Sequence, residues 1–263
     1  MKRTLLALLL LLVAPILRAG VTYDFSMATK GGAAPTLSGT ASVDGASSRV
    51  ELTRGDGFLF KDGAIVLSAD GGKTLRVLDP KAKTYYTLSF DDLFATAGAL
   101  MKSMGSMMRL SISNQKVDVK SAGPGEKIEG YATRKYEIAT SYDMKMTVLG
   151  SEMASSIAME TAIWATPELD ADYAVFLQDK SIRTGIEEID SLIAAQSQGV
   201  KGFPLRQITT MRTTQRGKTV EQTTTMTISK IRTGAVDSAA FAIPKDYTEG
   251  KSPLQDLQQM KIP

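Results

Sequence analysis

The chain has 263 residues, 43% of them hydrophobic, enough for one large domain or two small ones, of which one is favoured. Lys and Arg number 31 against 28 Asp and Glu, but three of the basic residues lie in the first eighteen positions, and the remainder is balanced, which argues against nucleic-acid or anionic-membrane partners. There is no His and no Cys, which removes Ser-His-Asp triads, Cys-His pairs, imidazole proton transfer, most zinc sites and all disulfides.

Lys2 and Arg3, an apolar run over 5–13 and the ending Leu17-Arg18-Ala19 describe a secretory signal peptide at 1–19, cleaved after Ala19. The run is short for a membrane span. No Cys follows the cut to carry a lipid, so the expected product is an unlipidated periplasmic or secreted protein. The rest, 20–263, shows no internal linker and no convincing long-period repeat.

Residues 21–27 alternate, with Val21, Tyr23, Phe25 and Met27 on one face, as a half-buried strand does. Short strands are expected at 41–43, 49–53, 58–60, 64–68, 74–78 and 84–88. Asp-Gly pairs at Asp44-Gly45, Asp56-Gly57, Asp62-Gly63 and Asp70-Gly71, together with Asp79-Pro80, separate these runs. The segment 58–68, with Asp62-Gly63 at its centre, reads as the clearest hairpin. Repeated short strands and tight turns predict an antiparallel meander.

Residues 89–110 break this pattern. Phe90, Leu93, Phe94, Ala97, Leu100, Met101, Met104, Met107 and Met108 recur at spacings of three and four, the period of one helical face. Ser89 can cap the start, with Asp91 and Asp92 in the first turn and Arg109 near the end. A Met-rich amphipathic helix among strands looks like a lid over a sheet.

Strand then resumes at 111–120, followed by the Gly123-Pro124-Gly125 turn, a strand over 127–139 with a turn or bulge at Gly130, an alternating run over 143–149, and 157–165, which contains Trp164. Thr166-Pro167 reads as a cap and first helical position, with Leu169, Tyr173, Phe176 and Leu177 on one face. Thr184-Gly185-Ile186-Glu187 has the form of a capping box, opening a helix that runs through Gln198 and stops at Gly199. Thr-rich strands follow at 205–214 and 219–231, joined by Arg216-Gly217-Lys218. Ser252-Pro253 can start a short terminal helix.

Little of this carries catalytic chemistry. Ser113-Asn114-Gln115-Lys116 has the Ser-x-x-Lys form of penicillin-binding enzymes. In a strand, however, positions three apart face opposite ways, and no companion motif is present. No phosphate-binding loop or dinucleotide fingerprint occurs. Asp91/Asp92, Asp170/Asp172 and Glu187/Glu188 are better read as helix-start charge and solvated face than as acid–base or calcium sites. A non-enzyme without cofactor or metal is expected.

Gly130-Tyr131 with Tyr136, Trp164-Ala165-Thr166, Gly202-Phe203-Pro204-Leu205 and Phe241-Ala242-Ile243-Pro244-Lys245-Asp246-Tyr247 occur in an order that resembles an uncharacterised group of bacterial periplasmic proteins. That group is similar to the lipoprotein-carrier (LolA-like) superfamily. The resemblance implies a mainly β fold with helices (α+β), in which a curved antiparallel sheet forms an incomplete barrel and lid helices close it over an apolar cavity. It also implies a carrier or chaperone for lipid, acylated protein or another amphiphile. The chain departs from the pattern at 141–156, which is long enough for an extended hairpin, and in the Met content of the lid. The lid-holding arginine known in the superfamily is not assigned to Arg49, Arg109 or Arg134, so lipoprotein shuttling does not carry over directly.

On this reading Phe94, Leu100, Met101, Met104, Met107 and Met108 line the cavity or, equally, pack as core, since unbranched polarizable methionine suits both. Trp164 reads as core that a nearby ligand would perturb. The alternative reading is an envelope protein-interaction or stress-sensing module of the same fold, with the Thr-rich strands at an exposed sheet edge. A monomer is favoured.

Overall fold

Alternation of apolar and polar residues, read at a period of two, sets the architecture. The computed structural model describes residues 20–32, 36–55, 60–89, 108–170, 172, 187–197 and 199–253. Its strands are β1 (Gly20–Lys30), β2 (Leu37–Asp44), β3 (Ser47–Arg54), β4 (Ile65–Ser68), β5 (Thr74–Asp79), β6 (Thr84–Ser89), β7 (Met108–Pro124), β8 (Arg134–Val148), β9 (Ser151–Thr166), β10 (Phe203–Gln215), β11 (Lys218–Gly234) and β12 (Thr248–Glu249). They form one sheet in the order β12-β6-β5-β4-β3-β2-β1-β11-β10-β9-β8-β7. The sheet is curved and unclosed. β1 joins two meanders by pairing with β2 on one side and β11 on the other.

Register aligns the core. Tyr23, Ala41, Val50, Val66, Val77 and Tyr86 lie opposite one another across β1 to β6. Four of the six are at most 4% exposed besides Ala41 at 1%, the exception being half-buried Tyr86. Phe203, Leu205 and Ile228 join the same apolar face, with Phe203 meeting Tyr23 edge-to-face at 5.3 Å between ring centres. On the opposite face Leu67 and Leu78 are also buried, where the Arg49 guanidinium donates to the Ala240 carbonyl at 3.0 Å.

The landmark motifs turn out to be structural joints. Phe203 and Pro204 pair in register with Thr166 and Ala165, so two of the motifs meet across β9 and β10. Gly202 has φ 94°, and a Cβ there would come within 2.3 Å of the Thr166 carbonyl oxygen. From Phe241 onward the chain runs to β12, which pairs in parallel with β6, and Thr248 N–H donates to the Lys83 carbonyl at 3.0 Å.

Several expectations need correction. Ser89 ends β6 and residues 108–110 open β7, so neither end of the expected Met-rich helix is helical; 90–107 lie outside the described residues. The strand expected over 127–139 begins only at Arg134, because Glu129 and Gly130 (φ 50° and 85°) make a tight turn bridged by Ile128 and Tyr131. Asp62-Gly63 does turn the chain, but β4 pairs with β3 and β5, and Phe60 is a bend rather than a strand residue. After Thr166 the chain turns instead of starting a helix at Pro167, and the Thr166 hydroxyl accepts from the Glu168 N–H at 3.2 Å. Tyr173, Phe176 and Leu177 lie outside the described residues, as does everything beyond 253.

Other expectations are met. The helix α1 (Glu187–Ser197) falls within the predicted span, with Leu192 buried and Gly199 at φ 118° beyond its end. It contacts β7, and Gln196 Nε2 donates to Thr140 Oγ1 at 2.9 Å. The extended hairpin is β8–β9, turning at Leu149-Gly150, and β10–β11 turns at Arg216-Gly217. Both turns take positive φ at both central residues, which matches strand twist. Ser113 and Lys116 lie in β7 at a bulge, where Asn114 has φ 54° and donates to Asp143 at 2.7 Å.

Gly39 is buried between Phe25 and Leu52 in the register, and a Cβ there would lie 2.1 Å from the Glu51 carbonyl oxygen. Backbone cannot swing aside as a side-chain tip does. Gly39→Ala is therefore expected to lose about 2–4 kcal/mol of stability in urea unfolding. Gly234→Ala, which has nothing within 4 Å, should change it by less than about 0.5 kcal/mol.

Candidate functional site

An apolar concavity forms where β1 bridges the two meanders. On β1 it is lined by Tyr23, Phe25 and Met27, successive positions on one face. Leu37 and Ala41 of β2, Val50 of β3 and Met226 of β11 complete it. Its volume is about 100 Å³, room for a few methylene groups or the end of a chain. Register explains the convergence: Met27 lies between Leu37 and Met226, and Tyr23 lies beside Ala41, which is opposite Val50.

Electrostatics divide the two faces of the sheet. Along β8, β9 and β10 the charged residues Lys135, Glu137, Lys145, Glu152, Glu160, Arg206 and Arg212 occupy one parity. Tyr136, Ile138, Thr140, Tyr142, Met144, Met146, Met153, Ile157, Met159, Thr161 and Met211 occupy the other. The charged parity is knit by ion pairs, Lys135–Glu137 at 2.7 Å and Arg212 to both Glu160 and Glu221 at 3.2 and 2.7 Å. On β1 the same face carries Asp24, whose carboxyl is held below its usual range by hydrogen bonds from Lys230 and then Thr40. The pocket lies on the neutral face, where Leu110, Ile112, Met144, Met146 and Met153 also line up across β7 to β9.

Of the residues singled out in the sequence, Phe94, Leu100, Met101, Met104 and Met107 lie outside the described residues. Met108 opens β7 opposite Val148. Trp164 is half-buried on β9 between its register partners Lys135 and Arg206, whose cationic groups stand 5.4 and 5.6 Å from the ring. Alternation places it on the charged face, away from the pocket. Tyr23, Phe25 and Met27 were visible in the sequence as one face of the alternating run 21–27, but nothing in one strand reveals that they will meet Leu37, Ala41, Val50 and Met226.

These features define a class: an open antiparallel sheet with one charge-paired face and one neutral face holding an apolar pocket. Over residues 36–247 the chain matches the family described as Domain of unknown function (DUF4412), and it belongs to that family. No curated protein matches its sequence. Among solved structures it is similar to a LolA superfamily protein from Nitrosomonas europaea, with 10% identity over 87% of this chain and 91% of that one and a TM-score of 0.28. The family match agrees with the uncharacterised family suggested by the sequence landmarks.

Tyr23 provides a test of the packing at this site. Burial pushes its phenol well above the ordinary value of 10.0. Above about pH 10 the unfolded chain releases this proton while the folded chain keeps it, so stability falls as pH rises. Tyr23→Phe is expected to flatten the loss of stability between about pH 10 and 11.5, measured by urea unfolding across that range. An unchanged slope would mean that Tyr23 ionises freely in the folded state.

Proposed function

We propose that this protein is a periplasmic, non-catalytic carrier or chaperone that binds a lipid, an acylated protein or another amphiphile on the neutral face of its sheet. The observation that carries the reading is the pocket between β1, β2, β3 and β11, lined by Tyr23, Phe25, Met27, Leu37, Ala41, Val50 and Met226. Burying an acyl chain against such a surface yields roughly 25 cal/mol per Å² without any reactive group. The half-buried methionines of β8 and β9 extend the same face with adaptable side chains. Export rests on the N-terminal signal sequence. No described helix is long and apolar enough to cross a membrane. The expected lid role of the Met-rich segment, kept to residues between β6 and β7, is part of this proposal.

Protein purified from a bacterial periplasm should yield lipid on solvent extraction and mass spectrometry, and should enhance the fluorescence of N-phenyl-1-naphthylamine. Met27 is half-buried, so Met27→Asp should keep its far-ultraviolet circular dichroism. The same variant should bind the probe about tenfold more weakly, because a carboxylate in an apolar pocket is costly. Wild-type protein that carries no lipid and does not bind the probe would sink the carrier reading.

A further inference from the structure

A row of threonines borders the pocket on the neutral face. Thr29, Thr224, Thr209 and Thr161 stand opposite one another across β1, β11, β10 and β9. Three strand spacings of about 4.8 Å make the row about 14 Å long. All four residues are half-buried. Thr29 and Thr224 are two positions along from Met27 and Met226, so the row directly adjoins pocket-lining side chains.

The hydroxyls pair with one another, Thr29 with Thr224 at 3.0 Å and Thr161 with Thr209 at 3.1 Å. Gln207 Nε2 also donates to Thr209 Oγ1 at 3.3 Å. A hydroxyl carries one donor and two acceptor positions. Each pair uses one O–H, so each retains a second O–H and spare lone pairs. The row is therefore a band of hydrogen-bonding capacity that its own contacts leave incomplete. It bears no formal charge: between Val21 and Thr29 on β1, Val220 and Ile228 on β11, and Gln207 and Thr213 on β10, every residue of this parity is neutral.

We propose that the neutral face selects an amphiphile with an uncharged ester, amide or hydroxyl head, its chain against Phe25, Met27 and Met226 and its head on the threonine row. This rests on the carrier reading and narrows its ligand class. An ester carbonyl accepts the spare O–H groups, and a hydroxyl head donates to the spare lone pairs. A carboxylate or phosphate would be partly desolvated against this face, where the described cations of the same parity stand at strand ends, Lys218 six positions from Thr224 on β11 and Arg134 four positions from Ile138, the partner of Thr161, on β8. On the opposite face Arg206, Arg212 and Lys230 are engaged with carboxylates.

The test is displacement of N-phenyl-1-naphthylamine by monolaurin and by laurate, which share one acyl chain, each below its aggregation concentration and at about pH 8, where laurate is ionised. Monolaurin should reach half-displacement at a concentration roughly tenfold lower than laurate. The double variant Thr29→Val with Thr224→Val removes both partners of one hydroxyl pair while keeping β-branched shape, so it should fold. It should bind the probe as wild type does and bring the two ligands to within about twofold of each other. Equal displacement by both ligands in wild type, or a preference that survives the double variant, overturns this inference and leaves apolar binding standing. A probe that never binds, or that neither ligand displaces, overturns the carrier reading and this inference together.

Discussion

The structure depends on register between β1 and its two neighbours. Among the described residues β1 is the only strand that pairs with both meanders, so its alignment decides whether their apolar faces coincide. With Tyr23 opposite Ala41 and Met27 opposite Met226, they do. A slip of one residue would turn Thr22, Asp24 and Ser26 into the core and expose Tyr23 and Phe25. The bulge between Thr22 and Asp24 on the β11 side is where the two alignments are reconciled. Downstream packing, from the Tyr23–Phe203 ring contact to the pocket itself, follows from that alignment.

An unclosed sheet must protect its edges and its exposed face without the closure a barrel supplies. At one edge the segment after β11 crosses to β6, tied by Arg49 to Ala240 and by Thr248 and Gly250 to Lys83 and Tyr85. The surface ion pair Lys83–Asp246 adds little to this, since exposed pairs are weak; the backbone bonds and buried Leu67 and Leu78 matter more. At the other edge β7 carries a bulge at Asn114 and the charges Lys116, Asp118 and Lys120 on one parity. Both are devices that discourage a second strand from adding.

Strands and turns were largely legible in the sequence because period-two alternation and two-residue Gly turns are local signals. Arg216-Gly217 shows this: the turn residues and both flanking Thr-rich strands are contiguous in the chain. Gly130 was legible as a turn, but the apolar residues around it suggested a longer strand, and Arg134 marks where pairing begins. The pairing of β4 with β3 rather than with the preceding residues was not legible, since Asp62-Gly63 suits either partner. The candidate site was the least legible feature. Helical periodicity drew attention to methionines at 101–108, whereas Met27, Met226, Met211, Met144, Met146, Met153 and Met159, which share a face, are scattered over five strands and converge only through register. Trp164 was legible as core, and it packs against the cluster that contains Tyr23 and Phe203; its cationic register partners Lys135 and Arg206 were not legible, because they come from other strands.

The segregation of charge links fold specificity to the proposed ligand. Alternation needs polar residues on one face of each strand, but solubility alone does not require the other face to exclude charge where it is only half-buried. Met159, Thr161, Thr209 and Met211 are all partly accessible, so a lysine or glutamate there could reach water at small cost. Their neutrality is therefore not explained by burial. Register specificity explains part of it, since a face without charges makes every slipped pairing costly. The proposed ligand surface would account for the rest: Thr–Thr pairs join adjacent strands while leaving hydrogen-bonding capacity, and methionine accommodates a chain of variable shape. The two explanations separate at single sites, because a lysine at Met211 would leave the register intact, held by the flanking pairs Thr209–Thr224 and Thr213–Val220, and would still place a charge on the ligand face.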